Sequence, residues 1–268
     1  MLFTLFILCG LLVFVAPDFL QSEIQVFSQI GIAATLLLAS LWLRRKKVTG
    51  SYFQIAFAFF IGSFAALLDN MLQISGLTSP STVVGSLIYQ ILSTSVVVTP
   101  IILLTKISGN NMGSIYLQKG RLRLGLLIGL GTLLFFVALM LAFPTGASML
   151  FTIKEDITFE RVLSLMPYAV AFVVLNGFKE ELLYRGLFLK KLEPFFGAWP
   201  SNVLATFVFA VGHVGVSYTP VLLVFLGITF LLGLAWGYVM QKTDSIIGAA
   251  LFHGAMDIAI ILGIFSFM

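Results

Sequence analysis

Apolar residues run along this chain in long blocks separated by short polar stretches. Blocks of about 18 or more apolar residues match the length of a helix that crosses the hydrocarbon core of a bilayer. In lipid every backbone N–H and C=O must be satisfied internally, so such blocks read as helices. They lie near residues 2–20, 24–43, 52–76, 81–105, 122–143, 160–190, 200–216, 221–240 and 246–266. The pattern predicts an all-α, polytopic transmembrane bundle of eight to nine spans, the first and seventh blocks being the shortest. It also predicts one integral-membrane domain over 1–268, because no block of polar sequence is long enough for a separate soluble domain.

Composition agrees with this pattern. Of 268 residues, 60% are hydrophobic and 10% charged, with 27 Phe, and the mean hydropathy is +1.10. The net charge of +4 would point to nucleic acid in a soluble chain. Here the cations sit in short connections, so topology explains them and a nucleic-acid partner is excluded. Arg44–Lys47, Lys106, Lys119, Arg121, Arg123, Lys190, Lys191 and Lys242 fall on one side if the spans alternate, and Asp18, Glu23 and the mixed group Lys154, Glu155, Asp156, Glu160, Arg161 fall on the other. The positive-inside rule then places the N-terminus and the basic loops in the cytoplasm and the C-terminus outside, in a multi-pass protein of the cell membrane. The N-terminal block has no basic n-region and no clear small-x-small site, so it is expected to be a retained span. The single Cys9 allows no internal disulfide. Glycines punctuating the blocks predict close helix packing. The absence of a visible internal repeat argues against a transporter.

The chemistry-bearing residues stand out against this background. Lys179-Glu180-Glu181-Leu182-Leu183-Tyr184-Arg185-Gly186 sets two adjacent carboxylates in an apolar run, and the chain's two histidines, His213 and His253, also lie in apolar runs. Ionisable groups at membrane depth are costly and by default mark a functional site. On a helix Glu180 and Glu181 point about 100° apart, and Arg185 lies one turn after Glu181, the spacing of an ion pair. That leaves Glu180 as the unpaired carboxylate, suited to general-base work. Phe209 and His213 share a face at i, i+4, as do His253 and Asp257. By the helical rise, Glu180 is about 16 Å from Lys191, His213 about 20 Å from Pro200 and His253 about 12 Å from Ser245. The three can meet in one layer, inside the cytoplasmic half. Asp69, beside Asn70, reads as a packing or interface residue.

Taken in order, Glu180-Glu181-x-x-x-Arg185, Phe209-x-x-x-His213 and His253-x-x-x-Asp257 resemble the CPBP intramembrane proteases. That family spans CAAX prenyl endopeptidases, bacteriocin-processing proteins and the bacterial Abi group. The resemblance covers roughly 165–265 as a catalytic core region. It implies a glutamate-dependent, metal-free endopeptidase without a cofactor, in which Glu180 activates water with the help of His213. By the same resemblance His253 and Asp257 stabilise the oxyanion, and Glu181, Arg185 and Phe209 support the site. The substrate it implies is a membrane-associated peptide or protein, expected at the cytoplasmic half of the bilayer. The last motif position is Asn or Asp in the family. An ionised Asp257 would repel an oxyanion, so either Asp257 is protonated or it orients His253.

Two other readings compete. Glu180, His213 and His253 could be three zinc ligands with an open position for water, although no His-Glu-x-x-His helix is present. Alternatively the chain is a non-catalytic immunity or regulatory membrane protein of the same family, whose role would tolerate loss of Glu180.

Overall fold

The computed structural model describes residues 2–46, 52–77, 80–143, 157–216 and 219–268. Lys47 and the group Lys154–Asp156 of the charge map lie outside the described residues. The elements are α1 (Leu2–Phe14), α2 (Ser22–Arg45), α3 (Phe53–Ser75), α4 (Val83–Ile107), α5 (Leu122–Ala142), α6 (Phe159–Glu180), α7 (Leu189–Phe196), α8 (Ala198–Val211), α9 (Leu222–Thr243) and α10 (Ile246–Ser266). Among the described residues, seven helical segments are long and apolar enough to cross a membrane: α2 to α5, Phe159–Phe196, α9 and α10. The protein is a multi-pass helical membrane protein.

Three expected blocks differ in form. The first yields only α1, of 13 residues, followed by a 3-10 turn over Ala16–Phe19 that contains Pro17. The seventh yields α8, of 14 residues, too short to cross by itself. The sixth is not one helix over 160–190. Its α-helical part ends at Glu180, a π-helical turn spans Glu181–Gly186, and α7 follows. The π turn is closed by Leu187 N–H donating to Leu182 C=O at 3.1 Å, five residues back. Such turns are rare and are found preferentially at functional sites. The hydrophobic period could not show it, since every residue from Leu182 to Leu187 except Tyr184 is buried and the run has no exposed face to mark a period.

The basic connections do gather at one end of the bundle. Arg121 N–H donates to Thr243 C=O at 2.6 Å and Ile246 N–H to Tyr116 C=O at 3.1 Å, which ties the α4–α5 connection to the α9–α10 turn. Lys190 pairs with Asp244 at 2.5 Å and lies over the Tyr116 ring. Tyr52 stacks on Phe195, and Phe3 meets Phe196 edge-on. The start of α1, the α2–α3 connection and α7 therefore share this end. Tyr116 donates to Glu193 at 3.2 Å. Burial, with Glu193 and Asp244 nearby, pushes its hydroxyl well above the usual range, so it stays a neutral donor. At the opposite end Asn70 on α3 donates to Gln29 on α2 at 2.9 Å, and Ser86 at the start of α4 lies 3.7 Å from the Met268 sulfur.

The most enclosed helix is α10, which packs against both α5 and α6. Small residues make this possible, as the glycine punctuation predicts. A Cβ on Gly254 would fall 2.6 Å from Val173 C=O, and one on Gly248 would fall 2.7 Å from the Gly125 Cα. Without Cβ atoms the backbones touch, and in a bilayer this close packing is a main source of helix association.

Gly254→Val should therefore cost about 1–3 kcal/mol by overpacking a backbone contact and lower the unfolding midpoint in detergent. Gly131→Ala, where a Cβ meets nothing within 4 Å, should be neutral or slightly stabilising.

Candidate active site

The π turn separates the two neighbouring glutamates. Glu181 points into the protein, and its Oε1 accepts from Arg185 Nη1 at 2.7 Å, with both side chains at 0% exposure. This is the pair expected from the spacing. The same oxygen also accepts from His253 Nδ1 at 2.9 Å, a contact between α10 and the π turn that spacing along the chain could not reveal. Arg185 has further partners in two rings, lying 4.5 Å from the Phe209 centroid and 5.5 Å from that of Trp236. A guanidinium over desolvated aromatic faces gains cation–π attraction, which suits a cation whose Nε and Nη2 make no hydrogen bond.

Glu180 points the other way. Its Oε2 lies 3.9 Å from His213 Nε2 and 3.6 Å from His253 Nε2. This oxygen is buried and makes no hydrogen bond. His213 follows the end of α8, and its Nδ1 meets Phe209 C=O at 2.9 Å. A carbonyl can only accept, so Nδ1 carries the hydrogen and closes an orphan carbonyl at the helix end. His253 is in the equivalent state, with Nδ1–H donating to the Glu181 carboxylate. Each imidazole thus turns Nε2 toward Glu180. Irregular backbone after α8 is tolerated at membrane depth because it lines a cavity.

Asp257 lies 3.6 Å from His253 Nε2. It accepts from Asn176 Nδ2 at 3.1 Å, and Asn176 Oδ1 accepts from Gln90 Nε2 at 3.3 Å. The atom that fixes the His253 ring is therefore Glu181, through Nδ1, and Asp257 faces the working nitrogen instead. Trp236 completes the seat of His253 by flat stacking at 3.8 Å and 8°. Phe209 meets His213 at 4.5 Å and His253 at 5.6 Å.

All seven expected residues are thus brought into one cluster. Asn176, Gln90 and Trp236 were not anticipated. Asn176 carried a signal, being a polar residue one turn before Glu180 on the same face. For Gln90 and Trp236 the chain offers none, since their partners lie far away in sequence.

Two cavities meet at Glu180. One, of about 320 Å³, runs along α9 and α10 past His213, Trp236 and His253, with Phe225, Ile228 and Ile261 among its apolar walls. The other, of about 220 Å³, is polar and is lined by Asp18, Gln25, Asp69, Asn70 and Lys179. Lys179 donates to Ser93 at 2.9 Å and lies 4.0 Å from Asp69. Asp69 thus lines a cavity.

A tetrahedral zinc with bonds of 2.0–2.1 Å holds its ligand atoms about 3.3 Å apart. The Glu180–imidazole separations are longer, and among the described residues no group of three or more His, Cys, Asp or Glu side chains is arranged to hold a metal ion.

Residues 162–259 match the family model of the Rce1-like type II CAAX prenyl endopeptidases. This span holds every motif residue named above, and it shows the resemblance to the CAAX group read from the motifs. No curated protein and no solved structure matches the chain. At family level the match supports a CAAX-protease-like membrane endopeptidase with a peptide substrate in a lipid bilayer.

Removing Arg185 alone should leave Glu181 as an uncompensated buried charge. Arg185→Met is expected to lose about 3–5 kcal/mol, read as a lower unfolding midpoint in detergent. Adding Glu181→Gln should recover part of the loss, because Gln keeps an acceptor for His253 Nδ1 without the charge.

Proposed function

We propose that this protein is an intramembrane endopeptidase of the cell membrane, with a cytoplasmic N-terminus, in which Glu180 is the general base for water. The observation that carries the reading is the Glu180 carboxylate, buried at Oε2 and faced by the Nε2 atoms of two imidazoles held by their Nδ1 atoms. The bare acceptor of His213 Nε2 beside the Glu180 carboxylate oxygen calls for a donor between them, and water supplies two hydrogens. Glu180 Oε2 takes one proton of that water while His213 Nε2 accepts a hydrogen bond from the other. The water oxygen attacks the peptide carbonyl carbon, and the C=O pair moves onto oxygen. His253, with both ring nitrogens protonated, donates Nε2–H to this oxyanion, and Asp257 balances the charge of the imidazolium. Collapse breaks the C–N bond, and Glu180 returns its proton to the leaving amine. Preorganised donors of this kind supply a large share of enzymatic rate.

Glu181, Arg185, Phe209, Asn176 and Trp236 act by positioning. This mechanism uses no metal.

The test needs a substrate, which proteomics can find as precursors that accumulate in a Glu180→Ala strain. With purified protein, Glu180→Gln should cut cleavage of such a precursor by at least about 100-fold with an unchanged unfolding midpoint, and a chelator should leave the wild-type rate unaltered. Normal cleavage or full complementation by the variant would favour the immunity or regulatory reading. Stoichiometric zinc lost together with activity would favour the metallopeptidase.

A further inference from the structure

The basic loops and the cavities lie at opposite ends of the site. Arg44, Arg45, Lys106, Lys119, Arg121, Arg123, Lys190, Lys191 and Lys242 belong to the end where the α2–α3, α4–α5 and α9–α10 connections and α7 gather. Between that end and Glu180 the protein is solid. Glu181, Arg185, Leu182, Leu187 and Leu189 are at 0% exposure and Tyr116 at 1%. Both cavities extend the other way. The apolar one reaches Thr219, Val221 and Val224 at the start of α9 and Ile264 at the end of α10. The polar one reaches Asp18 after α1, Gln25 at the start of α2 and Gln73 at the end of α3. Val221 and Val224 line the apolar cavity at the start of α9. Basic connections mark the cytoplasmic face.

We infer that the site is served from the extracytoplasmic face, and that its substrate is a peptide end or extended segment on that side whose apolar side chains lie along α9 and α10. This replaces the expectation of access from the cytoplasmic half. The depth expected for the site still holds, since His253 is nearer the basic end of α10 than Ser266. Depth and access simply point in opposite directions. From Ser266 to His253 is about 20 Å of helix, or about six residues of extended chain. A scissile bond must therefore lie that far inside the membrane surface, which a free chain end or an unwound segment can reach and a folded domain cannot. The two cavities divide the reactants: the apolar one takes the flanking peptide and the polar one connects water to Glu180. The substrate part of this inference rests on the reading of Glu180 as general base.

Thiol labelling of the full chain in intact bacterial cells tests the sidedness. In a Cys9→Ser background, Thr219→Cys and Gln73→Cys mark the two mouths, Arg45→Cys and Lys242→Cys mark the basic end, and Thr229→Cys lies deep in the apolar cavity. A small membrane-impermeant methanethiosulfonate should label Thr219→Cys, Gln73→Cys and, more slowly, Thr229→Cys from outside. Arg45→Cys and Lys242→Cys should label only after the cells are opened. The inverse pattern, or labelling of Thr229→Cys only in opened cells, would overturn the inference. Adding Glu180→Ala should leave the labelling unchanged, so a failure of the catalytic reading would appear in the cleavage assay and not here.

Discussion

A fully enclosed charge is costly in a membrane protein unless it is paired, and the ion pair of Glu181 with Arg185 is the constraint on which this site depends. Both side chains are fully enclosed. Taking two charges out of water is repaid only with short contacts and further hydrogen bonds. The protein supplies these by packing Phe209 and Trp236 against the guanidinium and by giving Glu181 a second donor, His253 Nδ1. The pair thus links the π turn, α8, α9 and α10, and in doing so aims His253 Nε2 at Glu180. A stabilising contact and a catalytic alignment are the same set of atoms.

The π turn makes that arrangement possible. It places Glu180 at the end of a regular α-helix and Glu181 at the start of a wider turn. One carboxylate faces a cavity and its neighbour faces the protein interior. The glycine contacts of α10 with α5 and α6 then bring His253 within reach. Most of the positive charge in the chain lies at the basic end, whereas the working carboxylate opens away from it. The bundle therefore behaves as a cup whose base is sealed by the ion pair.

Part of this was legible in the chain. The apolar blocks gave the helical class because hydrocarbon length and backbone satisfaction leave few alternatives. Glu181 and Arg185 could be paired from local spacing, since i, i+4 neighbours meet on any helix. The motif order gathered Glu180, His213, His253 and Asp257, and the family match covers the same stretch. The link from Glu181 to His253 was not legible, because it joins residues 72 positions apart and depends on the rotation of α10. Nor was the shortness of α8, whose apolar sequence runs on past the point where its helix stops.

The sequence by itself determined what must be buried and what must be paired: long apolar helices, basic connections to one side, and an expensive glutamate pair needing a cation within one turn. These follow from transfer energies and local geometry, which act residue by residue. Only the tertiary structure decided which nitrogen of each histidine faces Glu180, that Asn176 rather than His253 holds Asp257, and on which side of Glu180 the empty space lies. Those depend on how helices distant in sequence rotate and cross, and packing at glycine contacts sets that rotation with no trace in the hydrophobic pattern.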